Sequence, residues 1–332
     1  LKDILRRFYP YQFQYESTIS GYTAFQEADG WVLVLPGDYI DENEITEQYV
    51  IADFIQKSGF PHMAVPVQSV SESYRVPINK EEHVYVCQLQ PVQAPKDYNE
   101  LIHFLERFHN TSRSFPYSPI YVNRYGHWKK NWEQIVDQFD FVKQSYLEKD
   151  ELTDMERLWL ESCFYFIGIG ENAIQYLQET NHEKQYNQYD QPVFAFERIL
   201  PFPNTEAILP NRIVYDHPSR DLAELTRHII LTQGRDGLST IGNMLTAYNQ
   251  KRPLSLFSWR LFYARLIFPI HFVDYSTEII SQLKDNDYEY RRLKAFFSYQ
   301  NEYEYCLKQI HQYINRNVDH TLPSLDWLET IK

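Results

Sequence analysis

The sequence predicts an α+β protein in two parts, a small β-rich lobe over residues 1–92 and a large, mainly helical lobe over residues 93–332. Strand-type runs broken by turn residues crowd the first part, a single amphipathic stretch interrupts them, and beyond Gln93 most segments space their apolar residues by three and four. Thr23 to Val34, TAFQEADGWVLV, reads as a hairpin whose two apolar runs join across Ala28-Asp29-Gly30, an Asp-Gly pair suited to a tight turn. Glu47 to Ser58 sets Val50, Ile51, Phe54 and Ile55 at helical spacing and ends at Gly59. The runs MAVPVQSV, SYRVPI and HVYVCQLQPV supply the remaining strands.

Helical spacing then recurs over Tyr98–Ser112, Trp132–Leu147, Met155–Leu177 and Asp221–Thr232, the last stopping at Gly234. Three more helices are predicted over Leu238–Tyr248, Leu256–Tyr275 and Tyr288–Arg316. No internal repeat of fixed period appears.

Composition narrows the function classes. A net charge of −13 repels phosphate backbones, and pairs such as Lys129-Lys130 and Arg291-Arg292 are too short to offset it, so no nucleic-acid partner is expected. No apolar run reaches the roughly 20 residues of a membrane span, and LKDILRRFYPYQ lacks the apolar core of a secretion signal, so no membrane partner and a cytoplasmic origin are expected. Cys87, Cys163 and Cys306 are too scattered for a disulfide framework or a zinc site and read as small buried residues. No histidine pair has the i, i+4 spacing of a helical zinc site, and His109 reads as a packing or capping residue. With 10 Gly in 332 residues, under half the roughly 7% of an average protein, a glycine-rich phosphate cradle is not expected either.

The stretch from Phe196 to His228 carries the functional signal. It reads as a short strand, a turn ending in Asn204, a hairpin, Asp216, and a helix that opens with Arg220-Asp221-Leu222. With the small lobe from Tyr22 to Val92, the segment YNELIHFLERFHNTS, Trp128, Trp132 and PSRDLAEL at Pro218, this order resembles the spore coat protein S and I family of endospore-forming bacteria, its YutH-type members above all. That family is a branch of the aminoglycoside phosphotransferase-like kinases, so the resemblance implies a bilobal protein-kinase-like fold.

The resemblance also locates the chemistry that is missing. The kinase run H-G-D-x-x-x-x-N matches Glu197 to Asn204, which puts Ile199 at the catalytic base, where an aliphatic side chain accepts no proton. The phosphate-pairing lysine of the small lobe falls on Val34, and its glutamate partner on Val50, with Glu47 a turn earlier as an unpaired substitute. Two registers are open for Asp216: as the metal-binding Asp, if RIVYD is the second strand of a hairpin turning at Leu209-Pro210-Asn211, or as part of the next helix entry, with Leu209 at the metal position. Asn204 reads as a metal ligand or as a turn residue, and Asp216 or Ser219 as a helix N-cap. Asp221 matches the residue that braces the catalytic loop in the family.

The implied function is that of a spore coat component with a kinase fold and no phosphotransfer chemistry, without cofactor, whose partners are other spore coat proteins. It would be made in the mother-cell cytoplasm. The alternative is an active kinase of aminoglycoside- or choline-like small molecules that uses magnesium and ATP, with Asn204 and Asp216 on the metal and Glu197 as base. The 27 tyrosines suggest the contact surface: Tyr186 and Tyr189 in a polar segment, and Tyr299, Tyr303 and Tyr305, which read equally as exposed phenols or as half-buried helix-face residues.

Overall fold

The computed structural model describes residues 1–90, 95–182, 186–199, 207–282, 287–318 and 321–329. The expected lobe boundary at Val92 and the residue Asn204 lie outside this set. By compactness the chain divides into two units, Leu1–Arg124 with Pro192–Asp216, and Tyr125–Gln191 with His217–Lys332. The first helix of the expected helical lobe and the strand pair of the Phe196 region thus go with the small sheet.

In the first unit a short helix α1 (Lys2–Leu5) precedes β1 (Glu16–Ile19), β2 (Tyr22–Glu27) and β3 (Gly30–Pro36), and α2 (Glu42–Lys57) is followed by β4 (Val65–Val67), β5 (Arg75–Pro77) and β6 (His83–Leu89). These six strands form one antiparallel sheet in the order β1-β2-β3-β6-β4, with β5 also on β6. The predicted hairpin is β2–β3, and Gly30 pairs with Glu27 at φ 133°. A side chain there would meet the Leu89 carbonyl, since a Cβ would stand 2.5 Å from it. α2 starts where the Asp41 carboxylate accepts the Asn43 amide at 2.7 Å, and Gly59, at φ 100°, follows its end.

The unit is completed by α3 (Tyr98–Thr111) and by β7 (Val193–Phe196) paired antiparallel with β8 (Ile213–Asp216). RIVYD therefore does supply a second strand, but its partner is Val193–Phe196. The turn at Pro210–Arg212 is a single 3-10 turn, and Ile208 just before it bridges Met63 instead of forming a hairpin. Asn123 adds to the other edge of β8 through a parallel bridge to Tyr215.

The second unit contains α4 (Trp128–Leu147), α5 (Asp154–His182), α6 (Ser219–Gln233), α7 (Leu238–Lys251), α8 (Leu256–Ile267), α9 (Ile270–Gln282), α10 (Asp287–Ser298) and α11 (Gln300–Asn317). Two predicted helices are each split in two. Pro269 has no amide to donate and turns Phe268 to ψ 122°, which ends α8 before α9 begins. The other break falls at Tyr299, whose hydroxyl donates to the Ile230 carbonyl at 2.7 Å; only that tertiary contact marks the position. The three cysteines are free and buried, as expected.

A buried ionic cluster ties four of these helices. Glu224 of α6 accepts from Arg265 of α8 at 2.9 and 2.8 Å and pairs with Arg227 at 2.9 Å. Arg227 also donates to the carbonyls of Arg265 and Phe268 and to the Tyr303 hydroxyl of α11, which itself donates to the Leu266 carbonyl at 2.9 Å. Burial alone lowers the Arg227 pKa, but Glu224 and Tyr303 reverse this, so the guanidinium stays charged. His271 of α9, with its ring 4.6 Å from Tyr303, is pushed down to about 3 by burial and the neighbouring Arg227.

Glu224→Gln leaves two buried guanidiniums short of one negative charge. It is expected to cost on the order of 3 kcal/mol in chemical denaturation; a loss below about 0.5 kcal/mol would show that the cluster is not what holds these helices. Glu304 of α11, 7% exposed, has its pKa raised by burial to about 7. Its contribution to stability is complete below its unfolded value near 4.5 and is lost as pH rises through 7. His271 acts in the opposite sense, so the informative quantity is the stability of Glu304→Gln relative to the parent. That difference should grow in favour of the variant from pH 5 to pH 8, by at most about 3 kcal/mol.

Candidate functional site

Side-chain alternation along β3 decides which residues face α2. Leu33 and Leu35, both fully buried, lie in one cluster with Ile45 of α2, Ala24, Cys87, Ala207 and Leu209. Val34 points to the opposite face, into a cluster with Leu5, Tyr9 and Phe13 of the amino-terminal segment. A lysine at position 34 would therefore point away from α2. The β3 side chains that share a cluster with α2 are those of Leu33 and Leu35, and both are uncharged.

On α2 the picture is equally apolar. Val50 is half-buried, while Gln48 is the residue turned to the sheet, 3% exposed, accepting the Tyr85 hydroxyl at 3.0 Å. Tyr85 pairs with Leu35 in the β3–β6 register, so a neutral hydrogen bond joins α2 to the sheet beside the inward face of β3. Burial drives the Tyr85 pKa far up, which keeps the phenol protonated. Sequence reading missed both residues, since a Gln in a helix and a Tyr in a strand carry no motif.

Glu47 is not the unpaired substitute it was expected to be. Its two carboxylate oxygens accept the amides of Ile120, Tyr121 and Val122 at 2.6, 2.8 and 2.9 Å. It clamps α2 to the segment that continues into the bridge on β8, where Tyr215 donates to the Val122 carbonyl and Arg124 to that of Tyr215, both at 2.9 Å. Three amides take up three of the roughly four lone-pair directions of the carboxylate.

The turn between β1 and β2 consists of Ser20 and Gly21 alone, both at positive φ (51° and 85°). Two residues are too few for the glycine-rich loop that covers phosphates in protein kinases. Below it, Tyr22 accepts the Asn211 side-chain amide at 3.2 Å, and the Arg212 guanidinium lies 5.8 Å over its ring. Ile199 is 4% exposed, and Asp216 closes β8 fully buried, in register with Val193. Being a strand residue, Asp216 does not cap α6, and neither does Ser219. The Ser219 amide donates instead to His217 Nδ1 at 3.1 Å, and its hydroxyl to the Ser258 carbonyl at 2.8 Å. Asp221 is fully buried in the first turn of α6 and is partnered, but much of the loop it was expected to brace lies in residues 200–206, outside the described set. Leu33 and Leu35 offer no charge to a phosphate, and no group of three or more His, Cys, Asp or Glu among the described residues is placed to hold a metal ion.

In the second unit, Asp190, His217 and Ser258 come together unannounced by any spacing. Asp190 Oδ1 accepts from Ser258 at 2.5 Å and Ser255 at 2.7 Å and lies 3.4 Å from His217 Nε2; its Oδ2 accepts the Asn187 amide at 2.5 Å. Burial raises the Asp190 pKa, but these four donors outweigh it and hold the carboxyl ionised. This is no nucleophilic triad. Ser258 donates to the carboxylate, not to the imidazole, whose Nδ1 is occupied, and all three side chains are buried.

Asp190 ends the segment with the first two candidate contact tyrosines. Tyr186 is 53% exposed, its ring 4.5 Å from Phe257, while Tyr189 is half-buried with Arg252 5.8 Å over its ring. Tyr303 is 1% exposed within the ionic cluster and is removed from any contact surface. Tyr299 and Tyr305 are half-buried, the latter under Arg235 at 3.7 Å.

Among the described residues no helix is long and apolar enough to cross a membrane. The fold matches the crystal structure of an aminoglycoside phosphotransferase from Alicyclobacillus acidocaldarius at TM-score 0.64 and 12% identity, covering 95% of this chain and 96% of that one. It matches spectinomycin phosphotransferase APH(9)-Ia at TM-score 0.60 and 14% identity, over 93% and 97% of the two chains. In sequence, the chain is 27% identical over 313 residues to the endospore coat-associated protein YutH of Bacillus subtilis (strain 168), covering 92% of this chain and 91% of that protein. The family model described as "Spore coat putative kinase YutH" matches residues 2–310. The chain thus belongs to the YutH family of spore coat proteins, on an aminoglycoside phosphotransferase-like fold.

Proposed function

We propose that this protein serves spore coat assembly as a kinase-fold scaffold that transfers no phosphate. The observation that carries the reading is the Tyr85–Gln48 hydrogen bond. Where kinases of this general design join small-lobe strand and helix through a lysine and a glutamate, this chain has Leu33, Leu35 and a neutral bond inside an apolar cluster. Ala207 and Leu209 pack into that same cluster, so the sheet face is occupied by the chain's own side chains. A fold kept without its chemistry supports a binding role. No cofactor is needed for such a role; its partners are other spore coat proteins, met after synthesis in the mother cell, and Tyr186 is the most accessible of the candidate contact tyrosines.

Two measurements test the reading. Calorimetric titration with ATP and magnesium should show no binding tighter than about millimolar, because no lysine is present to clamp the phosphates; a micromolar, magnesium-dependent affinity would overturn it. Tyr186→Ser should cost at most about 1 kcal/mol, the value of one exposed ring contact, yet lower the amount of protein recovered in the coat of sporulating cells. Unchanged recovery of a stably folded variant would take Tyr186 out of the interface.

A further inference from the structure

The outer face of the α4–α5 pair plays no part in the reading above. The helices run antiparallel in close contact: a Cβ on Gly170 would stand 3.0 Å from Val136, and the Lys143 ammonium lies 5.1 Å over the Phe164 ring. Their inner stripes enter a core cluster through Phe139, Trp159 and Phe166. On the outer side, Phe141 is 77% and Phe164 52% exposed, values far from those of a folded interior. Toward the other end of the pair lies an open groove of about 450 Å³, lined by Val136 and Ile174 and walled by Asp137 and Glu171.

Helical spacing makes these features one surface. Phe164, Glu171 and Gln178 recur every seven residues on α5, and Asp137 lies one turn from Phe141 on α4. The stripe from Phe164 to Gln178 is about 21 Å long at 1.5 Å per residue, or some four helical turns. Asp137 and Glu171 have no ion-pair partner among the described residues. A helix-pair face with exposed aromatic rings toward one end and a groove with unneutralised carboxylates toward the other is complementary to a helix, which presents anchors at i, i+3/i+4 and i+7.

We propose that this face receives a basic amphipathic helix of a different protein, with an aliphatic side chain against Phe141 and Phe164 and Lys or Arg side chains toward Asp137 and Glu171. A second copy of the chain is a poor occupant, since each carries a net charge of −13 and the face itself is acidic. The inference holds whether or not the protein transfers phosphate.

The test uses the full chain and a labelled Lys/Leu amphipathic peptide of roughly 18 residues, about five turns, followed by fluorescence anisotropy at about 0.15 M salt, where long-range attraction is screened. Phe141→Ser with Phe164→Ser, and separately Asp137→Asn with Glu171→Asn, should each weaken binding by about tenfold or more. Glu16→Gln with Glu81→Gln, exposed and outside this face, removes the same charge and should leave binding within about twofold. Melting curves establish that each variant is folded. Equal losses in the charge-matched control would reduce the effect to net charge and overturn the proposal. So would displacement of the peptide by spermine with the Ser variants binding normally, which would mark a small-polycation site. A dimer in sedimentation that the Ser variants abolish would assign the face to a second copy instead, and would equally overturn it.

Discussion

Placing the Glu224 carboxylate out of water, between two guanidiniums, constrains the helical unit more than any other interaction in it. An ionised carboxylate in a low-dielectric interior is tolerated only when its partners are fixed, so Arg227 and Arg265 must stand where they do. Arg227 then reaches carbonyls at the end of α8 and beyond it, and the Tyr303 hydroxyl on α11. Four helices meet at one network, and the break after α8 is part of it, because the Phe268 carbonyl is one of the acceptors. Tyr303 is thereby a structural residue although its neighbours in sequence, Gln300, Asn301 and Glu302, are polar.

The first unit works on the opposite principle. Its sheet faces are apolar on both sides, against the amino-terminal segment on one and against α2 and the 207–209 segment on the other. Tyr85 donates to the neutral Gln48 of α2, the Glu47 carboxylate accepts three amides, and that of Glu42 accepts the Ser73 hydroxyl and the amides of Tyr74 and Arg75. A kinase needs charge on this side to hold phosphates, and charge is costly to bury without a ligand. Leucines and a neutral hydrogen bond carry no such cost and join α2 to the sheet.

Family and fold are therefore compatible with phosphotransfer chemistry or with its absence. The structural neighbours share 12–14% identity with this chain, a level at which backbone architecture persists while side-chain function need not. The acidic helix pair and the Tyr186 segment both lie in the unit that lacks the six-stranded sheet.

The sequence by itself determined the sheet-then-helix architecture, the β2–β3 hairpin, the end of α2 at Gly59, and the aliphatic character of β3, because period-two and three-to-four spacing and turn residues act locally; the start of α2 at Asp41 lies six residues before the expected Glu47. It also determined that Cys87, Cys163 and Cys306 are buried thiols. Tertiary structure alone decided which face of β3 meets α2, so Leu33 and Leu35 rather than Val34 turn toward that helix; alternation separates two faces but does not say what covers each. It decided that Glu47 is a clamp, that Gln48 and Tyr85 meet, that Asp190 gathers His217, Ser255 and Ser258, and that Tyr303 is buried. Each of these pairs residues 27 to 76 positions apart in the chain, and contacts across such distances depend on how whole elements pack, which no local pattern encodes.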